Sequence, residues 1–321
     1  MIKALTPGFL LTVTLGVVSF FVSTMHETLD ALVVALLAGM LLRLVFGRQR
    51  WFVLVVAYAK DLKDVLIPIG VLLYSATINI NRSLTLPGTA YVHTLISFIV
   101  LLGVALILGK LFRLPQKTSW LTAVGSAVCG ASAIAITSSA IDAQDEDVSN
   151  SIIAITLVGL LAVVLYMAPV PLFAGLDGET YAVLSGATLH QTGMVKIATS
   201  SIGSLAKDLA LPVKVLRTSL IPFVALFFFY LAFRKEGFKK GRGYLIAVLV
   251  AFIVILGLTG LSPQFALITQ LKGVKIAATI VFATAFANLG LLVDFKTMKL
   301  KPVIVALLAW VAAVAVFFLM A

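Results

Sequence analysis

Residues 118–141 read TSWLTAVGSAVCGASAIAITSSAI, a stretch long enough to cross a bilayer as one helix. Its middle holds glycine, serine, threonine and the chain's single cysteine instead of a run of leucine and valine. Small and hydroxylic residues are not typical of a helix that faces lipid, but they are typical of two other structures. The helix either packs closely on other helices, or it is interrupted near Gly130 so that free backbone groups face a substrate. The second structure predicts a transporter.

The composition identifies the class of protein. Of the 321 residues, 61% are apolar and 12% charged, and the mean hydropathy is +1.15. Soluble domains carry about twice that charged fraction, so we predict an integral membrane protein. The net charge of +11 lies in short loops between apolar runs, which argues against nucleic-acid binding. The sequence has no metal-ligand cluster, nucleotide-binding loop or catalytic triad, so we predict neither an enzyme nor a cofactor.

The apolar runs predict an all-α polytopic fold with eleven transmembrane helices. Residues 51–59 are too short to cross and are predicted to lie along the membrane interface. The predicted spans are 8–24, 29–47, 62–80, 91–112, 118–141, 149–171, 181–204, 213–233, 244–261, 274–294 and 302–320.

The loop charges orient these spans, because cytoplasmic loops retain lysine and arginine. With the N-terminus in the cytoplasm, the inner segments hold 17 basic residues and the outer loops hold five. The C-terminus and the acidic run Asp142–Asp147 are then extracytoplasmic. We predict a bacterial-type inner membrane protein. The inner basic residues are Lys3, Arg43, Arg48, Arg50, Lys60, Lys63, Lys110, Arg113, Lys117, Arg234, Lys235, Lys239, Lys240, Arg242, Lys296, Lys299 and Lys301.

The ten spans after the first divide into two sets of five, which predicts an inverted repeat. Residues 1–28 form an extra N-terminal helix, 29–172 the first repeat and 173–321 the second. The fourth members are 118–141 and 274–294, and both are rich in small residues. We therefore expect an interrupted helix in each, although small residues that serve close packing remain the alternative.

An interrupted helix offers free N–H groups at the start of one half, and this end attracts anions. We expect the anion site at Cys129, Gly130, Ala131, Ser132, Thr137 and Ser138, with Asn288 and Gly290 facing it.

Polar residues within the seventh and eighth spans extend this site. His190 and Gln191 are costly in hydrocarbon, so they should face protein or a cavity. His190 is a candidate for a coupling proton, with a structural histidine as the alternative. Lys214 is expected to be solvated near the interface, and Arg217 lies one turn deeper. For Arg217 we weigh an anion-binding role against a tie between helices.

These segments resemble the sulfate exporter family, the YeiH-like membrane proteins. The matching blocks are GSAVCGASAIAITSSAI (125–141), GATLHQTGMV (186–195), VKVLRTSLIP (213–222) and NLGLLVDFKTMKLKPVIVALLAW (288–310). The resemblance implies the fold group of sodium/proton antiporters and bile-acid symporters, with panel and core domains and elevator-type transport. It also implies sulfate or a small organosulfonate as substrate, and a homodimer.

This chain departs from that family at one position. The family has His-Glu in the seventh span and a Gln three residues after the Glu, whereas here His190 precedes Gln191, and Met194 holds the later position. The most obvious titrating carboxylate is therefore missing, and the coupling ion, H⁺ or Na⁺, stays open. Our first hypothesis is a secondary active transporter of a small anion. The alternatives are a passive anion or solute channel, a cation-coupled organic-anion symporter, and a membrane-embedded sensor.

Overall fold

A computed structural model shows an all-α membrane protein, as the sequence predicts. It describes residues 2–26, 29–78, 80–168, 175–200, 202–234, 243–262, 264–265, 268, 271–293 and 298–320. In these ranges, seven helices are long and apolar enough to cross a membrane. Shorter apolar helices accompany them.

The helices, numbered in chain order, are α1 Ile2–Met25, α2 Ala31–Phe46, α3 Arg50–Thr77, α4 Asn81–Leu84, α5 Gly88–Leu111, α6 Gln116–Ala127, α7 Ala131–Ile141, α8 Asp145–Met167, α9 Gly178–Thr188, α10 Thr192–Ser200, α11 Ser204–Thr218, α12 Ile221–Phe233, α13 Gly243–Leu261, α14 Lys272–Leu292 and α15 Leu300–Met320.

The chain folds into two compact units. The first unit comprises Met1–Ile78 and Gly241–Met298, and the second comprises Asn79–Lys240 and Lys299–Ala321. Each unit therefore takes helices from both halves of the sequence. The two inverted repeats stay a prediction, and their boundary at 172/173 lies outside the described residues.

In the first unit, α14 packs against α1, α2 and α3. A Cβ atom on Gly39 of α2 would meet the carbonyl oxygen of Ala287, and one on Gly290 of α14 would meet the carbonyl oxygen of Leu36. The backbones of α2 and α14 thus approach so closely that only glycine fits. The small residues of 274–294 serve packing, which was the alternative considered for this segment.

The predicted interruption within 274–294 is wrong, because α14 runs unbroken from Lys272 to Leu292. The Asn288 side chain donates from Nδ2 to the carbonyl oxygen of Thr284, 2.8 Å away in the preceding turn. Asn288 and Gly290 are both buried in this helix.

Residues 51–59 are not separate from the third span, and their predicted place at the membrane interface stays a prediction. They form the first turns of α3, which continues through Pro68 to Thr77. Phe52, Val55 and Ala59 are buried and pack around Leu291 of α14, so this segment belongs to the core of the first unit.

The second unit contains α4 to α12 together with α15. Helix α5 packs on α6 and α15, and α8 packs on α6 and α15. Helices α11 and α12 form one span, Ala206–Phe233, and the helix is interrupted at Ser219–Leu220. Pro222 explains the interruption, because it lacks the N–H that would bond to the carbonyl of Thr218.

Several basic residues of the orientation argument lie outside the described residues: Lys235, Lys239, Lys240, Arg242 and Lys296. The orientation in the membrane stays a prediction.

Candidate functional site

Helices α6 and α7 form a hairpin. The chain reverses at 128–130, where Gly130 has φ 78° and ψ −128°, a conformation that disfavours any side chain. At the open end, Lys117 Nζ donates to the carbonyl oxygen of Asp142 at 2.5 Å, and Asp142 ends α7 with φ 56°. The two ends of the stretch are therefore neighbours. The predicted crossing of 118–141 from Lys117 to an outer Asp142 loop is wrong, although the predicted interruption at Gly130 is confirmed.

Helices α9 and α10 form a second hairpin, which reverses at 189–191. The Tyr181 hydroxyl on α9 donates to the carbonyl oxygen of Ala198 on α10 at 3.1 Å, so the two arms lie side by side. Asp177 begins α9, and its carboxylate accepts from the backbone N–H groups of Glu179 and Thr180. These bonds, with that from the Thr180 hydroxyl, hold the pKa of Asp177 below its usual range. The predicted crossing of 181–204 is thus also a hairpin.

The tips of the two hairpins meet. A Cβ atom on Gly130 would lie 2.7 Å from Cγ of Gln191 and 3.3 Å from the carbonyl oxygen of His190. Four helix ends converge here: the C-terminal ends of α6 and α9, and the N-terminal ends of α7 and α10. The first pair presents free carbonyls and the second pair free N–H groups.

Lys214 of α11 joins the two tips. Its side chain is 0% exposed, and Nζ donates to the carbonyl oxygens of Val128 at 2.9 Å, Leu189 at 2.7 Å and His190 at 2.7 Å. The expectation of a solvated Lys214 is wrong, because α11 packs along α9 and α10 and carries this residue to the hairpin tips. Three acceptors for three N–H bonds fit the protonated ammonium.

Arg217 lies one turn further along α11 and also donates hydrogen bonds to carbonyl oxygens of both hairpins. Its guanidinium donates to Ser126 at 2.8 Å and Ala127 at 2.9 Å in the last turn of α6. In the second hairpin it donates to Ala187 at 2.6 Å, Leu189 at 3.1 Å and Gly186 at 3.3 Å. These contacts match the tie between helices that the sequence left as an alternative.

The buried positive charge at the tips has no buried carboxylate partner in the described part of the second unit, where Asp and Glu occur only at exposed or half-buried positions. The two cations face carbonyl oxygens, which carry the partial negative charge of two helix C-terminal ends. Their full charge is therefore only partly compensated.

Several buried polar atoms near the tips lack a hydrogen-bond partner. Both ring nitrogens of His190, Oε1 of Gln191 and Oγ of Ser126 are in this state, and each of these residues is at most 3% exposed. An unpartnered buried polar group costs about 1–3 kcal/mol, so such a cluster indicates a ligand or water position.

A family model described as "Conserved hypothetical protein 698" matches residues 7–309. The chain belongs to this family. A UPF0324 membrane protein of Archaeoglobus fulgidus is 32% identical over 253 residues, covering 78% of this chain and 74% of that protein. The UPF0324 membrane protein PA5383 of Pseudomonas aeruginosa is 28% identical over 336 residues, covering 96% and 92%. No solved structure matches the chain.

These names describe membrane proteins of unknown function. In this member of the conserved hypothetical protein 698 family, the function is therefore inferred from the residues of the site. The structure brings together Cys129, Gly130, Ala131 and Ser132 of the first tip with His190 and Gln191 of the second and Arg217 of α11. Sγ of Cys129 lies 2.6 Å from Oγ of Ser132, within the first tip.

Two other predicted site residues lie away from the first tip on α7, and two belong to the first unit, so that the predicted place of the latter two opposite the tips stays a prediction. Thr137 and Ser138 are about two turns along α7 from the tip, and the Ser138 hydroxyl donates to Ala135 of its own helix at 2.8 Å. Asn288 and Gly290 belong to α14 of the first unit.

Sequence reasoning missed Lys214 and Ser126, and it missed Thr156 of α8, whose hydroxyl lies 3.5 Å from Nε2 of Gln191. The spacing of Lys214 and Arg217 was a usable signal, because residues i and i+3 share a helix face. The burial of Arg217 therefore implies that of Lys214.

Proposed function

We propose that this protein is a secondary transporter of a small anion, sulfate or a small organosulfonate, which binds where the two hairpin tips meet. The single observation that carries the proposal is the convergence of two interrupted helix pairs on one buried, polar point. Secondary transporters place their substrate sites at discontinuous helices, where backbone groups are free.

The sign of the charge favours an anion. The carbonyls at the C-terminal ends of α6 and α9 are already bonded to Lys214 and Arg217, whereas the N-terminal ends of α7 and α10 carry partial positive charge. Two buried cations, which have no buried carboxylate partner among the described residues of the second unit, add to this field. A bound anion would lower the electrostatic cost of burying them, and a bound cation would raise it.

Access requires a conformational change, because the tips are closed. Cys129 is 5% exposed, and His190 and Arg217 are 0% exposed. A carrier opens such a site to one side at a time, either by separating a hairpin tip or by moving the unit that holds it, as in an elevator mechanism. A channel would need a continuous open path past the same residues.

The test is a counterflow assay in proteoliposomes loaded with unlabelled sulfate or a short alkylsulfonate, with uptake of the labelled anion as the readout. We expect transient accumulation that requires the internal anion, because exchange through a carrier couples the two fluxes. Uptake that is insensitive to internal anion and far faster than carrier turnover would identify a channel. An absence of uptake for every anion in the panel would contradict the proposal.

Two serine variants locate the site. Ser126→Ala removes an unpartnered hydroxyl beside the Arg217 contact, and we expect a rise in KM of about tenfold, equivalent to about 1.4 kcal/mol. Ser138→Ala is the matched control, since its hydroxyl is bonded within α7. Equal KM values for the two variants would show that the hairpin tips do not form the substrate site.

A further inference from the structure

Lys214 occupies a position that has the chemistry of a cation site. Three carbonyl oxygens, from Val128 on one hairpin and from Leu189 and His190 on the other, surround its Nζ atom at 2.7–2.9 Å. The side chain is 0% exposed. Carbonyls at the C-terminal ends of interrupted helices are the groups that bind coupling Na⁺ in secondary transporters.

We propose that the Lys214 ammonium is a tethered cation, which fills the place of a coupling sodium ion at the hairpin tips and makes anion transport independent of sodium. This inference rests on the proposed transporter function. A sodium ion would neutralise the cage that these three carbonyls form only while the ion is bound, whereas the Lys214 ammonium is held in the cage by its covalent link to α11.

The geometry supports a permanent occupant. The Nζ–O distances are those of charge-assisted hydrogen bonds, and the three N–H bonds of the ammonium are matched by three carbonyls. Arg217 donates to the neighbouring carbonyls of the same two helix ends, and it shares Leu189 with Lys214. Together the two side chains donate to seven carbonyls, those of Ser126, Ala127, Val128, Gly186, Ala187, Leu189 and His190. This leaves a free sodium ion without that set of ligands.

Removal of the tether should convert the cage into a site for a free cation. Lys214→Ala deletes the ammonium and leaves space, so that Na⁺, K⁺ or methylammonium can bind the three carbonyls. Lys214→Met deletes the charge but fills the space with an apolar chain of similar length. The difference between these two variants therefore reports cation binding in the cage and not the loss of the lysine itself.

The experiment is thermal unfolding of the purified, detergent-solubilised protein titrated with each cation as its chloride, with choline chloride holding the total chloride constant. For wild type we expect no saturable shift with sodium. For Lys214→Ala we expect a lowered unfolding temperature that rises by about 5 °C as the cation saturates the site. Lys214→Met should show no such rise, and Lys110→Ala, at an exposed lysine of α5, should behave as wild type.

Two results would overturn the proposal. The first is a saturable, sodium-specific stabilisation of wild type, which needs no variant to be informative. The second is a Lys214→Ala protein whose unfolding temperature rises with Na⁺, K⁺ or methylammonium no more than that of Lys214→Met. A Lys214→Ala protein that cannot be purified folded in the chloride of any of these three cations counts as the same result. The titration needs no transported anion, so a failure to find anion flux leaves this result readable on its own.

Discussion

Arg217 provides the sharpest test of how the hairpin tips are held. Arg217→Met keeps the aliphatic length and removes the guanidinium, which donates to five carbonyl oxygens at 2.6–3.3 Å. The carbonyl of Leu189 keeps its bond from Lys214, so four acceptors lose this donor.

At about 1 kcal/mol for each buried acceptor, the loss is about 4 kcal/mol, within the range of about 3–5 kcal/mol measured when one partner of a buried ionic contact is removed. For a protein of this size, that predicts a fall in unfolding temperature of about 6 °C. Arg217→Lys keeps the charge but offers three donors without the planar fork, so we expect an intermediate fall.

Thermal unfolding of the purified variants, followed by tryptophan fluorescence without added anion, measures this effect. Arg82→Met is the matched control, because Arg82 is an exposed arginine 3.9 Å from Asp208, and exposed pairs contribute below about 1 kcal/mol. If Arg217→Met unfolds within 2 °C of the control, roughly the effect of one weak surface contact, the carbonyl contacts do not stabilise the tips. A variant with unchanged stability and a higher KM would instead restore the direct anion-binding role.

Three further predictions concern contacts within the second unit. Gly130→Ala places a side chain at φ 78° against Gln191, so we expect a fall of about 5 °C and a lower transport rate, whereas Gly103→Ala, where the added methyl group meets no neighbouring element, should lower neither. Glu146→Gln breaks an exposed 2.7 Å ion pair with Lys299 and should lower the unfolding temperature by less than about 3 °C; a larger fall would show that this contact holds the start of α8 against the start of α15. Lys117→Cys and Asp142→Cys, each in a variant without the native cysteine, should react with a membrane-impermeant maleimide from the same side, and labelling from opposite sides would contradict the hairpin.

The sequence predicted the membrane class, most helix positions and the break at Gly130, because hydropathy and glycine conformation are local properties. It did not predict the reversal of the chain, since 24 residues fit one crossing helix and two short arms equally well. The distribution of charged residues among the loops did not indicate the two hairpins either. Replacing two crossings by two hairpins changes sides only for the segments between them, and residues 142–177 contain no lysine or arginine.

Two other errors have the same physical origin. The small residues of 274–294 resemble those of 118–141, yet Gly290 fits against α2 without a break, and composition alone does not separate close packing from interruption. Lys214 was assigned to the interface from its distance to the end of an apolar run. Its contacts with three carbonyls of two distant hairpins are tertiary, so the only local indication of its burial was the helix face that it shares with Arg217.

The most direct test of the central claim uses Cys129, the only cysteine in the chain, which lies at the first hairpin tip and is 5% exposed. The measurement is the rate at which a small maleimide alkylates Cys129 in the wild-type protein, with and without sulfate, short alkylsulfonates, carboxylates and halides at equal ionic strength. If an anion binds between the tips and holds them closed, alkylation should slow about tenfold at ten times the dissociation constant of that anion, while the other anions leave it unchanged. Equal rates in every anion, together with measurable transport of one of them, would place the substrate site elsewhere and contradict the account.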